Sequence, residues 1–210
     1  MRELVTRGLL AASVLILLGA TPGGAATSKI GDFPFNNDLT NDAGSAPMLA
    51  NLEAGGANTF FDAGANTCLN FPVGSGLAMT KVPRSARSTF SLDIFFAFDQ
   101  TVGYRRIMSF GPNTQDRGLY VYNEVVALYP KREGTLTIGV DSLFHLVVTR
   151  SGKTGVVRVY VNGTRDISFR DRKGLYVLRN GVADFFVDDA SENSSGYICD
   201  LKVYNKVITP

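Results

Sequence analysis

The sequence lacks tryptophan and contains a single histidine, His145. One histidine excludes a metal site built on two histidines, and it leaves any Ser-His-Asp arrangement dependent on this residue alone. The absence of tryptophan removes the largest ring that a protein can offer to a sugar, so tyrosines would have to supply the aromatic surface of a glycan site. We expect His145 to pack or to form a hydrogen bond, and not to catalyse a reaction.

Neither sign of charge is in excess, because 21 Lys and Arg oppose 19 Asp and Glu, a formal net charge of +2. A near-neutral surface of mixed sign has no basic footprint for nucleic acid, and no lysine- or arginine-rich run is present for anionic lipid. After the amino-terminal region, no apolar run approaches the length of a membrane-spanning helix. We expect no nucleic-acid partner and no membrane insertion of the processed chain.

The amino terminus has the pattern of a secretory signal peptide. Arg2 and Arg7 precede an apolar run at residues 8–19, and small residues follow at 23–26. Such a run is too short for a permanent membrane span. We predict a signal-peptide helix over residues 1–26, a secreted protein that is extracellular or periplasmic, and one domain over residues 27–210. An anchor that stays attached is the alternative.

Two cysteines, Cys68 and Cys199, would remain in a compartment that permits oxidation, and they are candidates for one long-range disulfide. Strand alternation opposes the bond. If Leu69 and Leu201 point inward, then Cys68 points outward and Cys199 points inward. Opposite faces give poor bridge geometry unless a β-bulge changes the alternation, so this argument disfavours the disulfide.

Short β-rich segments separated by Gly, Asn, Asp and Pro recur along the chain, whereas no window keeps helical periodicity for more than about two turns. Asn162-Gly163 is the clearest turn signal and predicts a tight hairpin. Residues 37–65, rich in Gly, Ala, Asn and Asp, are predicted to form a long surface connection. This pattern predicts an all-β fold of two antiparallel sheets. The predicted strands are 30–35, 67–71, 77–82, 88–98, 105–110, 118–129, 135–140, 143–150, 156–161, 165–169, 175–178, 184–187 and 196–207.

Several segments, in order, resemble the laminin G-like jelly-roll family, a relative of the pentraxins within the concanavalin A-like superfold of lectins and glucanases. The resemblance implies a concanavalin A-like jelly-roll sandwich in which the first and last strands lie side by side. It also implies a lectin-like role in recognition. The segments are FPFN at 33–36, NDAG at 41–44, FSLDIFF at 90–96, LFHLVVTR at 143–150, VRVYVNG at 157–163 and GYICDLKVYN at 196–205.

An acidic turn near the carboxyl terminus is a candidate calcium site. Asp188, Asp189 and Glu192 cluster before Gly196, and hard oxygen ligands on a loop suit Ca²⁺. The resemblance strengthens the hypothesis, since many laminin G-like and pentraxin-like domains bind calcium at a sandwich edge. The alternative is a solvated acidic turn in which Asp189 or Ser191 caps local backbone groups.

Tyrosines provide the candidate platform for a sugar. Tyr104, Tyr120, Tyr122, Tyr129 and Tyr176 are all available, and Tyr120 and Tyr122 are the predicted ligand-binding pair.

These features predict a secreted, non-enzymatic recognition module. Its partner would be a glycan or an extracellular protein, with calcium as the candidate cofactor. A secreted carbohydrate-active enzyme of the same superfold is the first alternative, although residues 184–189 lack the Glu-x-Asp-x-x-Glu order of glycosidases of this superfold. A structural adhesion or envelope protein is the second alternative.

Overall fold

A computed structural model describes residues 28–64, 66–111, 116–189 and 191–210. The predicted signal peptide, residues 1–26, lies outside them. The short helix α1, Ser85–Ser88, is the sole α-helix among these residues, and none of them forms a candidate membrane span. The strands are β1 Lys29–Phe33, β2 Met48–Leu52, β3 Thr59–Asp62, β4 Thr67–Phe71, β5 Gly76–Thr80, β6 Phe90–Phe98, β7 Tyr104–Ser109, β8 Gly118–Tyr122, β9 Val125–Tyr129, β10 Arg132–Thr137, β11 Phe144–Arg150, β12 Val156–Val161, β13 Thr164–Arg170, β14 Ala183–Phe185 and β15 Gly196–Tyr204.

Two antiparallel sheets form a sandwich, which confirms the predicted fold class. The eight-stranded sheet has the order β13-β12-β11-β6-β15-β4-β3, with β1 also paired to β15. The seven-stranded sheet has the order β10-β9-β8-β7-β14-β5-β2. Strand β15 pairs with β6 along its whole length and with β1 over its second half, so the first and last strands are neighbours as predicted.

The core lies between the sheets and is rich in phenylalanine. Alternation along each strand places one set of side chains inward, as in β12, where Val157, Val159 and Val161 are buried. Phe71 of the eight-stranded sheet stacks on Phe186, which follows β14, with ring centroids 4.2 Å apart and planes 6° apart. Such contacts join the two layers across the interior.

Three predicted segments differ from the structure. Residues 37–65, predicted to be a surface connection, contain the exposed edge strands β2 and β3. These strands form because their backbones pair with β5 and β4. Residues 118–129 form two strands, since Asn123 and Glu124 adopt positive φ values of 47° and 69° and reverse the chain. Residues 175–178 form no strand.

The structure contains the disulfide Cys68–Cys199, so the alternation argument against it is wrong. A register shift between Ile198 and Asp200 inserts Cys199 as an extra residue in β15. Ile198 therefore fills the inward position opposite Leu69, and Cys199 turns toward Cys68. The bond ties the last strand to β4 across a sequence separation of 131 residues.

Candidate ligand-binding site

Adjacent strands of the seven-stranded sheet turn four tyrosines to its outer face. Strand β8 alternates, with Leu119 and Val121 in the core and Tyr120 and Tyr122 on the opposite side. The register of the neighbouring strands brings their tyrosines to the same face, because Tyr104 of β7 pairs with Tyr122 and Tyr129 of β9 pairs with Gly118. We call this group the tyrosine cluster. Its members are Tyr104, Tyr120, Tyr122 and Tyr129.

Tyr104 is the centre of the tyrosine cluster. Its ring stacks on Tyr122 with centroids 4.1 Å apart and planes 19° apart. It meets Tyr120 and Tyr129 edge to face, at 5.4 Å and 5.7 Å. Tyr104, Tyr122 and Tyr129 are half-buried, so parts of three rings face solvent, whereas Tyr120 is fully buried. Burial, followed by the neighbouring Tyr122, raises the pKa of Tyr104, which keeps its hydroxyl protonated.

A buried ion pair lies beneath the tyrosine cluster and contacts Tyr120. The Arg106 side chain is 1% exposed and that of Asp188 is 11% exposed, and Arg106 Nε donates to Asp188 Oδ2 at 2.5 Å. Arg106 Nη2 also donates to the Tyr120 hydroxyl at 2.5 Å, and this hydroxyl lies 3.1 Å from Asp188 Oδ2. Burial raises the pKa of Tyr120 despite the opposing Arg106 guanidinium. Tyr120 is thus an anchor and not a platform.

Two backbone irregularities place this ion pair. A register shift between Arg106 and Met108 lets both Ile107 and Met108 enter the core while Arg106 stays outside it. After β14, Phe186 takes a φ of 66° and its N–H donates to Ile107 O at 3.2 Å. The Phe186 ring is buried, and Asp188, two residues later, reaches Arg106 of β7.

Glu192 and Asp116 complete the acidic side of the site. With Tyr104, Tyr120 and Tyr129 they line a cavity of about 90 Å³. Burial, and then the hydrogen bond and charge of Asp188, raise the pKa of Glu192 to about 7. The carboxyl group of Glu192 therefore keeps its proton to a higher pH than an ordinary glutamate does, and its protonated form is able both to donate and to accept hydrogen bonds.

A larger cavity of about 380 Å³ continues from the tyrosine cluster. The residues that line it are Tyr104, Ala127, Leu128, Tyr129, Pro130, Lys131, Arg132 and Glu133. The Tyr129–Pro130 peptide bond is cis. The two cavities share Tyr104 and Tyr129 in their linings and therefore adjoin, and we call the surface that they form the groove.

The three predicted calcium ligands have different surroundings. Asp188 is occupied by Arg106, and Asp189 Oδ1 accepts from Ser191 N at 3.0 Å and Ser191 Oγ at 2.7 Å, which lowers the pKa of Asp189. Asp189 thus forms the capped turn that was the alternative hypothesis. Within the described ranges, no group of three or more His, Cys, Asp or Glu side chains is placed to hold a metal ion. Calcium binding stays a prediction.

The structure separates the candidate tyrosines. Tyr122 is reachable from solvent, whereas Tyr176 belongs to the core, where its hydroxyl donates to Leu128 O and Tyr129 O, each at 3.2 Å. Sequence reasoning missed Arg106, because nothing in its segment distinguishes it from a solvated surface arginine.

His145 lies on the outer face of the other sheet, far from the tyrosine cluster in the topology. It stacks on Phe95 with ring centroids 4.3 Å apart, and its Nε2 lies 2.8 Å from Asp93 Oδ1. The contacts are those of the packed and hydrogen-bonded histidine that the sequence indicates.

No family model and no curated protein matches this chain. Solved structures do resemble it. Domain 4 of AbnA, an extracellular GH43 arabinanase from Geobacillus stearothermophilus solved with arabinotriose, has a TM-score of 0.68 at 18% identity and covers 87% of this chain and 95% of its own.

Botulinum neurotoxins give further similar structures. A type C toxin structure, whose cell entry depends on two ganglioside molecules, has a TM-score of 0.64 at 15% identity, and the match covers 86% of this chain but 48% of the toxin chain. The binding domain of neurotoxin DC in complex with rat synaptotagmin II has a TM-score of 0.63 at 14% identity, with 86% and 49% covered. The present chain thus spans about half of the toxin chains. At these identities, the likeness establishes the shared two-sheet sandwich.

Proposed function

We propose that this protein is a secreted glycan-recognition module without catalytic activity, and that it binds sugar at the tyrosine cluster. The observation that carries the proposal is the set of half-buried rings of Tyr104, Tyr122 and Tyr129 beside carboxylates on one sheet face. Sugar rings present apolar C–H faces and polar hydroxyl edges, and such a mixed surface suits both.

Contacts within the protein hold the side chains of the site in place without a ligand. The tyrosine rings pack on one another, and the Arg106–Asp188 pair fixes Tyr120 beneath them. Because these side chains are already ordered, little conformational entropy remains to be lost on binding. Glu192 and Asp116 can then accept hydrogen bonds from sugar hydroxyls at the edge of the aromatic surface.

The structural neighbours support a binding role. One is an extracellular arabinanase domain solved with arabinotriose, and another is a toxin whose cell entry depends on gangliosides. A third neighbour, the binding domain of neurotoxin DC, was solved in complex with synaptotagmin, so a protein is the alternative class of ligand. The Cys68–Cys199 disulfide supports secretion, since such bonds persist in oxidising compartments.

A binding titration tests the proposal. The wild-type protein is screened by calorimetry against arabinotriose, ganglioside headgroups and a panel of plant and bacterial oligosaccharides. We expect Tyr104→Ala and Tyr122→Ala each to weaken the affinity for the best ligand by about fivefold or more, because each variant loses about 1–3 kcal/mol of stacking and packing.

Tyr160→Ala is the matched control, since Tyr160 is a half-buried tyrosine on the opposite sheet. It should leave affinity unchanged. Equal loss in the control, or full affinity in both cluster variants, would place the binding site elsewhere.

One observation favours glycoside hydrolysis as a second candidate. Glu192, whose pKa is raised to about 7, lies beside Asp188, and a glycosidase combines a general acid of raised pKa with a second carboxyl group. Release of reducing ends by the wild type, abolished in Glu192→Gln, would establish it. Binding without turnover would exclude this assignment for the same sugar.

Calcium is a separate proposal for Asp188, Asp189 and Glu192. The ion would have to compete with Arg106 for Asp188. Thermal melts with CaCl₂ and with EGTA test it, since an ion that binds the folded state raises the melting temperature. A calcium-dependent rise that disappears in Asp189→Ala would support the assignment, and identical melts would contradict it.

A further inference from the structure

We infer that the glycan bound at the tyrosine cluster carries an anionic group, a carboxylate or a sulfate, and that this group sits in a basic cavity at the far end of the groove. The inference rests on the proposed function and names the class of sugar. It is carried by a third cavity, by unpaired positive charge around it, and by continuity with the tyrosine cluster.

The basic cavity has a volume of about 250 Å³ and lies between the β9–β10 turn and the segment that follows β13. Phe169 and Leu175 form its apolar part. The guanidinium carbon of Arg132 lies 5.9 Å from the centre of the Phe169 ring, which orients this side chain over the apolar surface. The basic side chains that line the cavity are Lys131, Arg132, Arg170, Arg172 and Lys173, all of them exposed.

The positive charge of this cavity is not neutralised locally. Asp171 is the one acidic residue in its lining, and it is buried and already accepts from Arg150 Nε at 3.1 Å, Leu175 N at 2.8 Å and Tyr176 N at 3.1 Å. Across the described ranges, none of the five cations forms a salt bridge. Five cations around one pocket raise the local concentration of anions.

The three cavities are connected through shared residues. Tyr104 and Tyr129 line both the acidic cavity and the middle cavity, and Lys131 and Arg132 line both the middle cavity and the basic one. An oligosaccharide stacked on the tyrosines would therefore pass the cis Pro130 and reach the cations.

The charges at the two ends of the groove have opposite signs. Asp116 and Glu192 lie at the tyrosine end, where Asp188 is already paired with Arg106. Glu133 lines the middle cavity, and the five cations lie around the basic one. A hydroxyl-rich unit suits the acidic end and an oxyanion suits the basic end, so the charges also fix the direction of the chain. A uniform polyanion such as nucleic acid would meet repulsion from the carboxylates.

Paired ligands test the inference by separating charge from ring shape. Affinity is measured for sialyllactose against its methyl ester and for 3′-sulfolactose against lactose, at 50 and 300 mM NaCl, because each charged member carries a single anionic group at one end. We expect the charged member of at least one pair to bind more tightly, with an advantage that falls with salt. The pair that responds identifies carboxylate or sulfate. Stronger binding of single-stranded DNA than of every glycan would overturn the inference.

The triple variant R170A/R172A/K173A removes three cations that do not line the tyrosine cavities. It should lose about tenfold in affinity for the charged ligand and retain affinity for the neutral one. The control R84A/K153A/K206A removes three exposed cations outside the groove and should change neither.

The failures of the two proposals are distinguishable. Equal affinity for charged and neutral members in every pair, with loss in Tyr122→Ala, refutes the basic cavity and keeps the glycan site. If the charged ligand binds tightly and Tyr122→Ala does not change its affinity, the connection between the cavities is refuted. Absence of binding to every sugar refutes the proposed function itself.

Discussion

Replacing Arg106 with methionine should destabilise the protein by about 3 kcal/mol. The substitution keeps an apolar stem of similar length but removes the guanidinium from a carboxylate that is 11% exposed. Loss of one partner from a buried ion pair costs about 3–5 kcal/mol, because the remaining charge is stranded, and partial access of water to Asp188 favours the lower end. The Tyr120 hydroxyl loses its donor in the same step.

Urea unfolding followed by far-ultraviolet circular dichroism measures this cost. For a chain of this size, about 3 kcal/mol corresponds to a fall in melting temperature of about 6–12 °C. A double-mutant cycle with Asp188→Asn isolates the interaction. The double variant should be more stable than the sum of the single losses predicts, since no charge is then stranded. A cost below about 1 kcal/mol for Arg106→Met, or no coupling in the cycle, would refute the assignment of this pair as the base of the site.

Three further outcomes are expected. The C68S/C199S variant should lose about 4 kcal/mol of stability, because the bond closes a loop with a sequence separation of 131 residues; equal unfolding midpoints with and without reductant in the wild type would contradict this. Stability should fall between pH 4.5 and about 7, because the unfolded chain releases the Glu192 proton before the folded one does. Glu192→Gln should remove this pH dependence. The stability of the variant relative to the wild type should be about 1 kcal/mol higher at pH 8 than at pH 5, after allowance for solvent screening. A variant that is relatively more stable at pH 5 would contradict this sign. Tyr176→Phe should cost about 1 kcal/mol through its lost bond to Leu128 O yet leave glycan affinity unchanged, as compared by melting and calorimetry.

Strands with a strong period of two were predictable from sequence. Strand β12 and its hairpin at Asn162-Gly163 are examples, since Asn162 and Gly163 take φ values of 49° and 80°. Strands β2 and β3 were not predictable, because their side chains are mostly exposed and their segment is rich in turn-forming residues. Their stability comes from the free edges of β5 and β4, which a local pattern does not contain.

The disulfide shows how one inserted residue defeats a periodic argument. Strict alternation placed Cys68 and Cys199 on opposite faces, and the bulge in β15 brought them together. A bulge of this kind is set by pairing across two sheet neighbours, so Ile198 can keep its inward place opposite Leu69.

The candidate site was predictable only in part. The sequence offered Tyr120 and Tyr122 as ligand-binding candidates, but it does not show which tyrosines face a groove. The partner of Asp188 is Arg106, 82 residues earlier in the sequence. The formal net charge of +2 also conceals a separation of charge, since folding gathers cations at one end of the groove and carboxylates at the other. Composition reports the sum of the charges and carries no information about their placement.

A crystal structure with the tightest-binding oligosaccharide tests the central claim most directly. The sugar should stack on the exposed faces of Tyr104, Tyr122 and Tyr129, with a hydroxyl within hydrogen-bond distance of Glu192 or Asp116 and its chain directed toward Lys131. Sugar bound instead on the outer face of the eight-stranded sheet, beside Phe95 and His145, would contradict the claim.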